Sequence, residues 1–466
     1  MVKRICIFAG SFNPPGRHHV EIAAALARRF DELRIVTCGF RPDKPSNNAL
    51  APALRAVLID LGFQGLPRVV VDHFDLENDC FTFSDELERR FAAPDREVWH
   101  AITAELVRGG ARGESAIQKT WVHGALVWKE LRFAVYRTPE MPLDPADLPP
   151  HAEVIETPVW GSSLEIRRKL YEGDDCRGQL PPRVLEYINR YGLFKFGAVA
   201  HEGRIKLAGS RLLIVADDRN PNAVRLRERL GVASCETDPD AVLVIGGDGT
   251  MLAAIQNHWR LRRPMVGLNA GHLGFLMNEA ESLLTGGGGG LCQELVVRRL
   301  PMLHVEFARD EGPPVEALTF NDAWIERSSG QTAWLRIAVN DEVKLEKAVC
   351  DGVLVSTAAG STAYAMSMGA SPLLADSPAW LLVGSNVMRP LGWKSALLPL
   401  DASVRVEGLD IGKRPLNGYV FGQMVPGVVG MTARISRVAT VELAYSPAHD
   451  MARKISDLQF GQAKSF

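Results

Sequence analysis

No excess of charge of either sign marks this chain: 53 Lys and Arg stand against 55 Asp and Glu, a formal net charge of -2. A nucleic-acid or membrane-surface partner would need a clustered basic footprint, and none is expected here. Basic residues are scattered, and Arg225-Leu226-Arg227-Glu228-Arg229 alternates as a solvated helix face does. No apolar run reaches the length needed to span a bilayer. The opening Met1 to Phe8 is too short for a signal peptide and reads as a first strand, so a cytoplasmic protein is expected. The 7 Cys are isolated, with no C-x-x-C spacing. That pattern excludes a structural zinc and implies reduced thiols, with no metal ligands expected. What remains is ordinary globular material, 46% hydrophobic and 23% charged over 466 residues. It is enough for roughly three domains with large cores.

Short apolar strands alternate with helical stretches from the start. Arg4–Phe8, Leu33–Thr37, Arg68–Val71, Leu131–Tyr136 and Glu153–Glu156 read as strands, with helices near Val20–Arg29 and Val184–Arg190. Such alternation implies a parallel sheet of βαβ units. A Gly-containing stretch, Gly197 to Gly209, precedes a new first strand at Leu212–Val215 and marks a boundary. We expect an N-terminal α/β domain over 1–195, a second α/β domain over 206–290 onto which 445–466 can pack back, and a β-rich domain over 291–444. Gly286 to Gly290 reads as a flexible connector, Pro139 to Pro150 as a surface loop, and Trp121 and Trp128 as core.

The most informative stretch is Val242-Leu243-Val244-Ile245-Gly246-Gly247-Asp248-Gly249-Thr250. A buried strand ends in glycines flanking one carboxylate, with a helix expected just beyond at Met251–Ile255. Glycine lets backbone N–H groups approach phosphate oxygens, and a carboxylate held there can act as a base toward a hydroxyl or help hold Mg2+. Plain turn chemistry is the alternative. Downstream lie Gly267-Leu268-Asn269-Ala270-Gly271-His272-Leu273-Gly274-Phe275-Leu276, then Phe320-Asn321-Asp322-Ala323, then Cys350-Asp351-Gly352 through Gly360-Ser361-Thr362-Ala363-Tyr364. For Asn321-Asp322 the alternative is a turn pair, and for Ser361-Thr362 a helix cap.

These four motifs, in this order from about Arg211 onward, resemble the NAD kinase family, which moves the ATP γ-phosphoryl group to the ribose 2′-hydroxyl of NAD. The resemblance implies Asp248 as catalytic base, with Gly246 and Gly247 at phosphate. It implies Gly249, Phe275, Asn321, Asp322, Asp351, Thr362, Ala363 and Tyr364 around NAD, Mg2+ arriving with ATP, and a homo-oligomer. Two departures stand out: Ala358-Ala359 where the family has Pro then Ser or Thr, and Phe421-Gly422-Gln423 where it has Asp-Gly-Gln or Asp-Gly-Arg.

Near the N-terminus, Gly10-Ser11-Phe12-Asn13-Pro14-Pro15-Gly16-Arg17-His18-His19 follows the first strand, and Gly161-Ser162-Ser163-Leu164-Glu165-Ile166-Arg167 opens a later helix. Both are places for phosphate to meet a helix N-terminus and cationic side chains. Two half-exposed helix-start histidines are the alternative for His18-His19. Together the segments resemble the nicotinate/nicotinamide mononucleotide adenylyltransferases of the nucleotidyltransferase superfamily, over about Lys3 to Phe194. The resemblance implies a Rossmann-like fold with His19 catalytic. It also implies ATP and a pyridine mononucleotide held by Gly10, Ser11, Phe12, His18, Lys44, Ser162, Ser163 and Arg167. The first motif His or Thr falls on Gly16, the motif Gly falls on His18, and the family's middle Gly-x-Asp has no carboxylate near Trp99-His100-Ala101. The whole reads as a bifunctional enzyme of NAD(P) biosynthesis. Its rivals are a kinase with a non-catalytic nucleotide-binding N-terminal domain, or a lipid or small-molecule kinase sharing the Gly-Gly-Asp-Gly turn.

Overall fold

The computed structural model describes residues 2–39, 50–158, 161–197, 199–271, 274–285, 290–291 and 294–460. Lys44, His272 and Gly286 to Gly289 lie outside them. The chain forms two compact units, Met1–Ala200 and His201–Phe466. Among the described residues no helix is long and apolar enough to cross a membrane.

In the first unit, β1 (Lys3–Gly10), β2 (Glu32–Thr37), β3 (Val69–Asp72), β4 (Arg96–Thr103), β5 (Phe133–Arg137) and β6 (Ala152–Glu156) form one sheet in the order 3-2-1-4-5-6. Every neighbouring pair is parallel. Parallel strands need crossovers, and the helices Arg17–Arg29 and Pro52–Phe63 supply two of them. Their apolar faces bury Ile22, Leu26, Ile59 and Phe63 against Cys6, Phe8, Leu33 and Ile35. In an open sheet of this order the strand sequence reverses between β1 and β4, and ligands bind outside the C-terminal strand ends at that reversal. Trp121 and Trp128 pack beside Ile117, Val127 and Phe133, as core.

The second unit opens with β7 (Glu202–Ile205). Then β8 (Leu212–Ala216), β9 (Ala241–Gly246) and β10 (Met265–Asn269) run parallel. A short antiparallel pair, β11 (Leu284–Thr285) and β12 (Gly290–Leu291), follows. Gly290, expected in a flexible connector, is therefore paired strand. The β-rich region comprises β13 (Leu295–Arg309), β14 (Val315–Thr319), β15 (Asp322–Arg327), β16 (Ala333–Val339), β17 (Glu342–Cys350), β18 (Gly352–Ser356), β19 (Ala379–Ser385), β20 (Ser395–Pro399), β21 (Ser403–Gly408), β22 (Leu416–Val420) and β23 (Gln423–Tyr445).

These strands do not stand apart as an isolated all-β sandwich; they share one hydrogen-bonded network with β8–β10. The reason is the length of β13 and β23. Val296 to Pro301 pair with Thr440 to Tyr445, the register slips at Met302, and Leu303 to Arg309 then pair with Val428 to Ile435. The first half of this ladder joins the α/β part, where Val266 aligns with Ala444. The second half lines the β-rich core of Leu303, Phe307, Ile325, Leu335, Val355 and Trp380. A register slip of this kind bends a strand pair and lets one ladder serve two layers. The Met451–Gln459 helix puts Met451 and Ile455 into the same buried cluster as Met251, Ile255 and Phe275.

Candidate active site

β9 is fully buried along its six residues, as an apolar central strand of a parallel sheet should be. It ends at Gly246, where a Cβ would meet Thr250 at 2.3 Å, so glycine is required for the chain to turn there. Gly247 caps the Asp248–His258 helix in extended conformation, and Asp248 is the first helical residue. The helix thus begins three residues earlier than the apolar periodicity suggested. Periodicity registers only from the first buried residue, Met251, whereas the backbone is already helical at the carboxylate. An acidic side chain in a first turn is favoured by the helix dipole. At Gly247 and Gly249 nothing lies within 4 Å of where a Cβ would stand, which leaves this helix start open.

The Asp248 carboxylate is clamped. Its Oδ2 accepts from the Phe275 N–H at 2.9 Å and its Oδ1 from the Leu276 N–H at 2.9 Å. Burial raises its pKa above the ordinary carboxylate value, against the opposing pull of the two amides and of Lys454. Phe275 contributes through its backbone: the ring, expected beside a dinucleotide, is buried in the core with Met251 and Met277. Gly274 precedes it, and a Cβ there would press on Met277 at 2.9 Å and on Asp248 at 3.4 Å.

Asn321 sits between β14 and β15, and Asp322 is the first residue of β15. The Asn321 backbone carbonyl accepts from Thr357 N at 2.8 Å and from the Ser356 hydroxyl at 3.3 Å. Its side-chain Oδ1 is buried without a hydrogen-bond partner. A buried amide oxygen without a donor is costly in an empty protein and fits a site completed by a ligand. Burial pushes the Asp322 carboxyl up to about 6. Gly360 is what allows this packing: a Cβ there would meet the Asn321 carbonyl oxygen at 2.5 Å and its Cα at 2.7 Å. The 321 and 360 motifs, distant in sequence, are therefore in contact through their backbones.

The Ser361-Thr362 segment is a 3-10 turn, Ala359–Thr362, capped by Ala358 without a side-chain bond. Ser361 is not a helix cap: its hydroxyl donates to Ala358 O at 2.6 Å and accepts from Leu373 N at 2.8 Å. Ala358 and Ala359 are buried here. Thr362 is half-buried; Ala363 and Tyr364 are exposed just beyond. Partial desolvation of the phenol, and then Glu326, Asp322 and Asp351 nearby, raise the Tyr364 pKa. Asp351 is already engaged, accepting from Arg327 Nε at 2.6 Å and Asn386 Nδ2 at 2.8 Å. Phe421 and Gly422, where the family's late Asp-Gly would fall, form the β22–β23 hairpin turn with φ of 52° and 69°.

Sequence reasoning missed two features. Trp324, two residues after Asp322 on the same face of β15, stacks on Tyr419 at 5.0 Å and meets Tyr364 edge-on at 5.1 Å. The period of two was the available signal. Lys454 bonds the 274–277 turn, and nothing in local sequence marks it.

In the first unit the two quoted segments interlock. Ser163 Oγ donates to Pro14 O at 2.8 Å, and Arg167 Nη1 donates to Asn13 O at 2.5 Å. Ser162 caps its helix by accepting from Leu164 N at 3.2 Å. The His18 ring fills the space over two glycines: a Cβ on Gly16 or on Gly161 would stand 2.6 Å from it. Glycine at 16 and at 161 thus leaves room for the His18 ring. His18 is buried and His19 half-buried, with their rings 3.9 Å apart. Burial takes the His18 pKa down to about 4, while burial and then His18 itself hold His19 well below its ordinary value. His19 Nδ1 accepts from Gly16 N at 3.1 Å, which leaves its proton on Nε2. It is a neutral donor in this state, not a cation. Phe12 corrects another expectation: its ring is core, packed on Phe8, Phe63 and His19, and Gly10 lacks a Cβ because that ring stands 2.9 Å away. Ser11 Oγ lies 3.4 Å from Cys38 Sγ.

Comparison with known proteins places both matched segments in the second unit. Residues 207–282 match the family model of the ATP-NAD kinase N-terminal domain, and 320–388 that of the ATP-NAD kinase C-terminal domain. The chain is 36% identical over 241 residues to the NAD kinase of Brucella melitensis biotype 1, covering 50% of this chain and 90% of that relative. It is 31% identical over 257 residues to the NAD kinase of Xylella fastidiosa, covering 54% and 97%. Among solved structures, an NAD kinase from Archaeoglobus fulgidus in complex with ATP aligns at 20% identity and a TM-score of 0.40, over 55% of this chain and 98% of that one. At that coverage of its curated relatives, and with both domain models matched in order across the site just described, the chain belongs to the NAD kinase family.

Proposed function

We propose that the second unit phosphorylates NAD to NADP with ATP, using Asp248 as base. The observation that carries this reading is the Asp248 carboxylate itself, fixed by two backbone amides at an open helix start and raised in pKa by burial. A base is most effective when its pKa approaches the working pH, and phosphoryl transfer otherwise asks mainly for positioning and charge stabilisation. The ribose 2′-oxygen attacks the γ-phosphorus, its proton passes to Asp248, and the bond from γ-phosphorus to the bridging oxygen breaks to release ADP. Asn321 Oδ1 and the Asp322 carboxylate would accept from adenine and ribose groups, with Trp324 and Tyr364 as an aromatic wall. Gly249, Thr362 and Ala363 would flank the dinucleotide, and Gly246 and Gly247 would admit phosphate.

Mg2+ would come in on the ATP phosphates. It is usually held by one or two carboxylates plus phosphate and water. Lipid substrates fit less well, because the buried, partnerless Asn321 oxygen calls for a polar ligand. Incubating the full chain with ATP, Mg2+ and NAD tests the reading directly: absence of NADP would overturn it.

We further propose that the first unit adenylylates nicotinate or nicotinamide mononucleotide. The support is the meeting of the Gly10–His19 and Gly161–Arg167 segments, which follow β1 and β6 of a 3-2-1-4-5-6 parallel sheet. The mononucleotide phosphate would attack the ATP α-phosphorus and displace pyrophosphate. His18, seated over Gly16, would stand in for the motif's first histidine, and Ser11, Ser162, Ser163 and His19 would surround phosphate. Pyrophosphate release by the full chain, dependent on either mononucleotide, is the test. ATP binding without release would favour a non-catalytic nucleotide-binding module.

A further inference from the structure

We propose that Lys454 is a positioning residue for the Asp248 carboxylate, acting through the turn at 274–277. This inference rests on the reading of Asp248 as the base. The turn presents two N–H groups to Asp248, from Phe275 and Leu276, and the carbonyls flanking them belong to Gly274 and Met277. Lys454 Nζ donates to both, at 2.8 Å to Gly274 O and 3.1 Å to Met277 O. Its remaining partner is Glu279 Oε1 at 3.0 Å. An ammonium has three donors, and here three acceptors meet them.

The Lys454 side chain is mostly buried, at 14% exposure, although Glu279 is exposed, so its two carbonyl contacts rather than the ion pair tie it to the turn. Gly274 has no side chain to hold it in place. The turn is held by the core packing of Phe275 to Met277, by Asn278 bonded to Gly267 O and Ala444 O just after it, and by Lys454 at the carbonyls of Gly274 and Met277. The ammonium also lies close enough to Asp248 to favour the ionised carboxylate. The Met451–Gln459 helix supplies the residue, anchored by Met451 and Ile455 in the same core that holds Met251 of the Asp248–His258 helix. The C-terminal helix thus sets the geometry of a carboxylate that it does not touch.

The test is steady-state kinetics of NADP formation with the full chain. Lys454→Met keeps the stem length and leaves a half-exposed Glu279, so the fold should persist. Small displacements at a reacting centre can lower rates by about a hundredfold, so we expect kcat to fall roughly ten- to a hundredfold. KM for NAD and ATP should move by less than about threefold, because the nucleotide contacts remain. Lys454→Arg should recover part of kcat, since charge is kept while the planar fork cannot meet all three acceptors as the ammonium does. Arg453→Ala, at an exposed neighbour that pairs with Asp457, should leave kcat unchanged. Parental kcat in Lys454→Met, with Asp248→Asn inactive, overturns the positioning role and leaves the base intact. An active Asp248→Asn removes both. Should Lys454→Met not fold, Lys454→Gln decides: a lowered kcat supports the role and a parental one overturns it.

Discussion

Replacing Asp248 with Asn changes almost no volume, so its consequences can be worked out from the hydrogen bonds. Each carboxylate oxygen accepts one backbone N–H, from Phe275 and Leu276, both at 2.9 Å. An amide offers only one acceptor oxygen, so in either orientation its NH2 faces one of those donors. A buried donor left unsatisfied typically costs about 1–3 kcal/mol. Against this, the neutral side chain avoids the desolvation that raises the native pKa, so the net loss should stay at or below about 2 kcal/mol and the protein should fold. The rate effect is much larger. Loss of a general base removes about a hundred- to ten-thousandfold, or roughly 3–5 kcal/mol of transition-state stabilisation. The measurement is NADP formation read through an NADP-specific dehydrogenase, beside a thermal melt of the same sample. Turnover within about tenfold of the parent in a folded Asp248→Asn protein would refute the assignment.

Asp322 carries a pH signature: with its pKa near 6, NAD affinity should weaken about tenfold per unit as pH falls below that value, and Asp322→Asn should abolish the pH dependence. Because the folded pKa is raised above the unfolded one, the stabilising contribution is present below about pH 4 and lost as pH rises through about 6. It amounts to no more than about 3 kcal/mol, so Asp322→Asn should raise the melting temperature of the ligand-free protein at neutral pH while weakening NAD binding. A melting temperature that falls would contradict the burial argument. Gly360→Ala should destabilise the second unit by about 1–3 kcal/mol and weaken NAD binding, because its Cβ would overlap the Asn321 backbone at 2.5 Å; unchanged calorimetric affinity would detach the two motifs. In the first unit, Arg167→Ala releases Asn13 O and should lower pyrophosphate release far more than loss of an exposed residue such as Arg168, and His18→Ala should match it if His18 fills the place left at Gly16. Parental release from both variants would place that chemistry elsewhere.

Local sequence was enough for the features governed by near neighbours. A buried strand such as Val242–Ile245 reads correctly because a continuous apolar run has one destination in a parallel sheet. The glycines around Asp248 and the order of the four motifs were legible for the same reason, as was the core role of Trp121 and Trp128. Long-range contacts decided the rest. Phe275 reads as a position beside the dinucleotide; its ring belongs to the core and its amide to Asp248, a division that only three-dimensional packing makes. Phe12 likewise reads as part of a phosphate turn but is held in the core by Phe8 and Phe63. Gly16 reads as a departure from a motif until the His18 ring is seen to need that space. The β-rich region reads as a separate domain, because no local pattern tells that β13 and β23 are long enough to tie it into the α/β sheet. Lys454 carries no local signal, since two of its three acceptors are backbone carbonyls, which every residue possesses and only the tertiary fold can bring within reach.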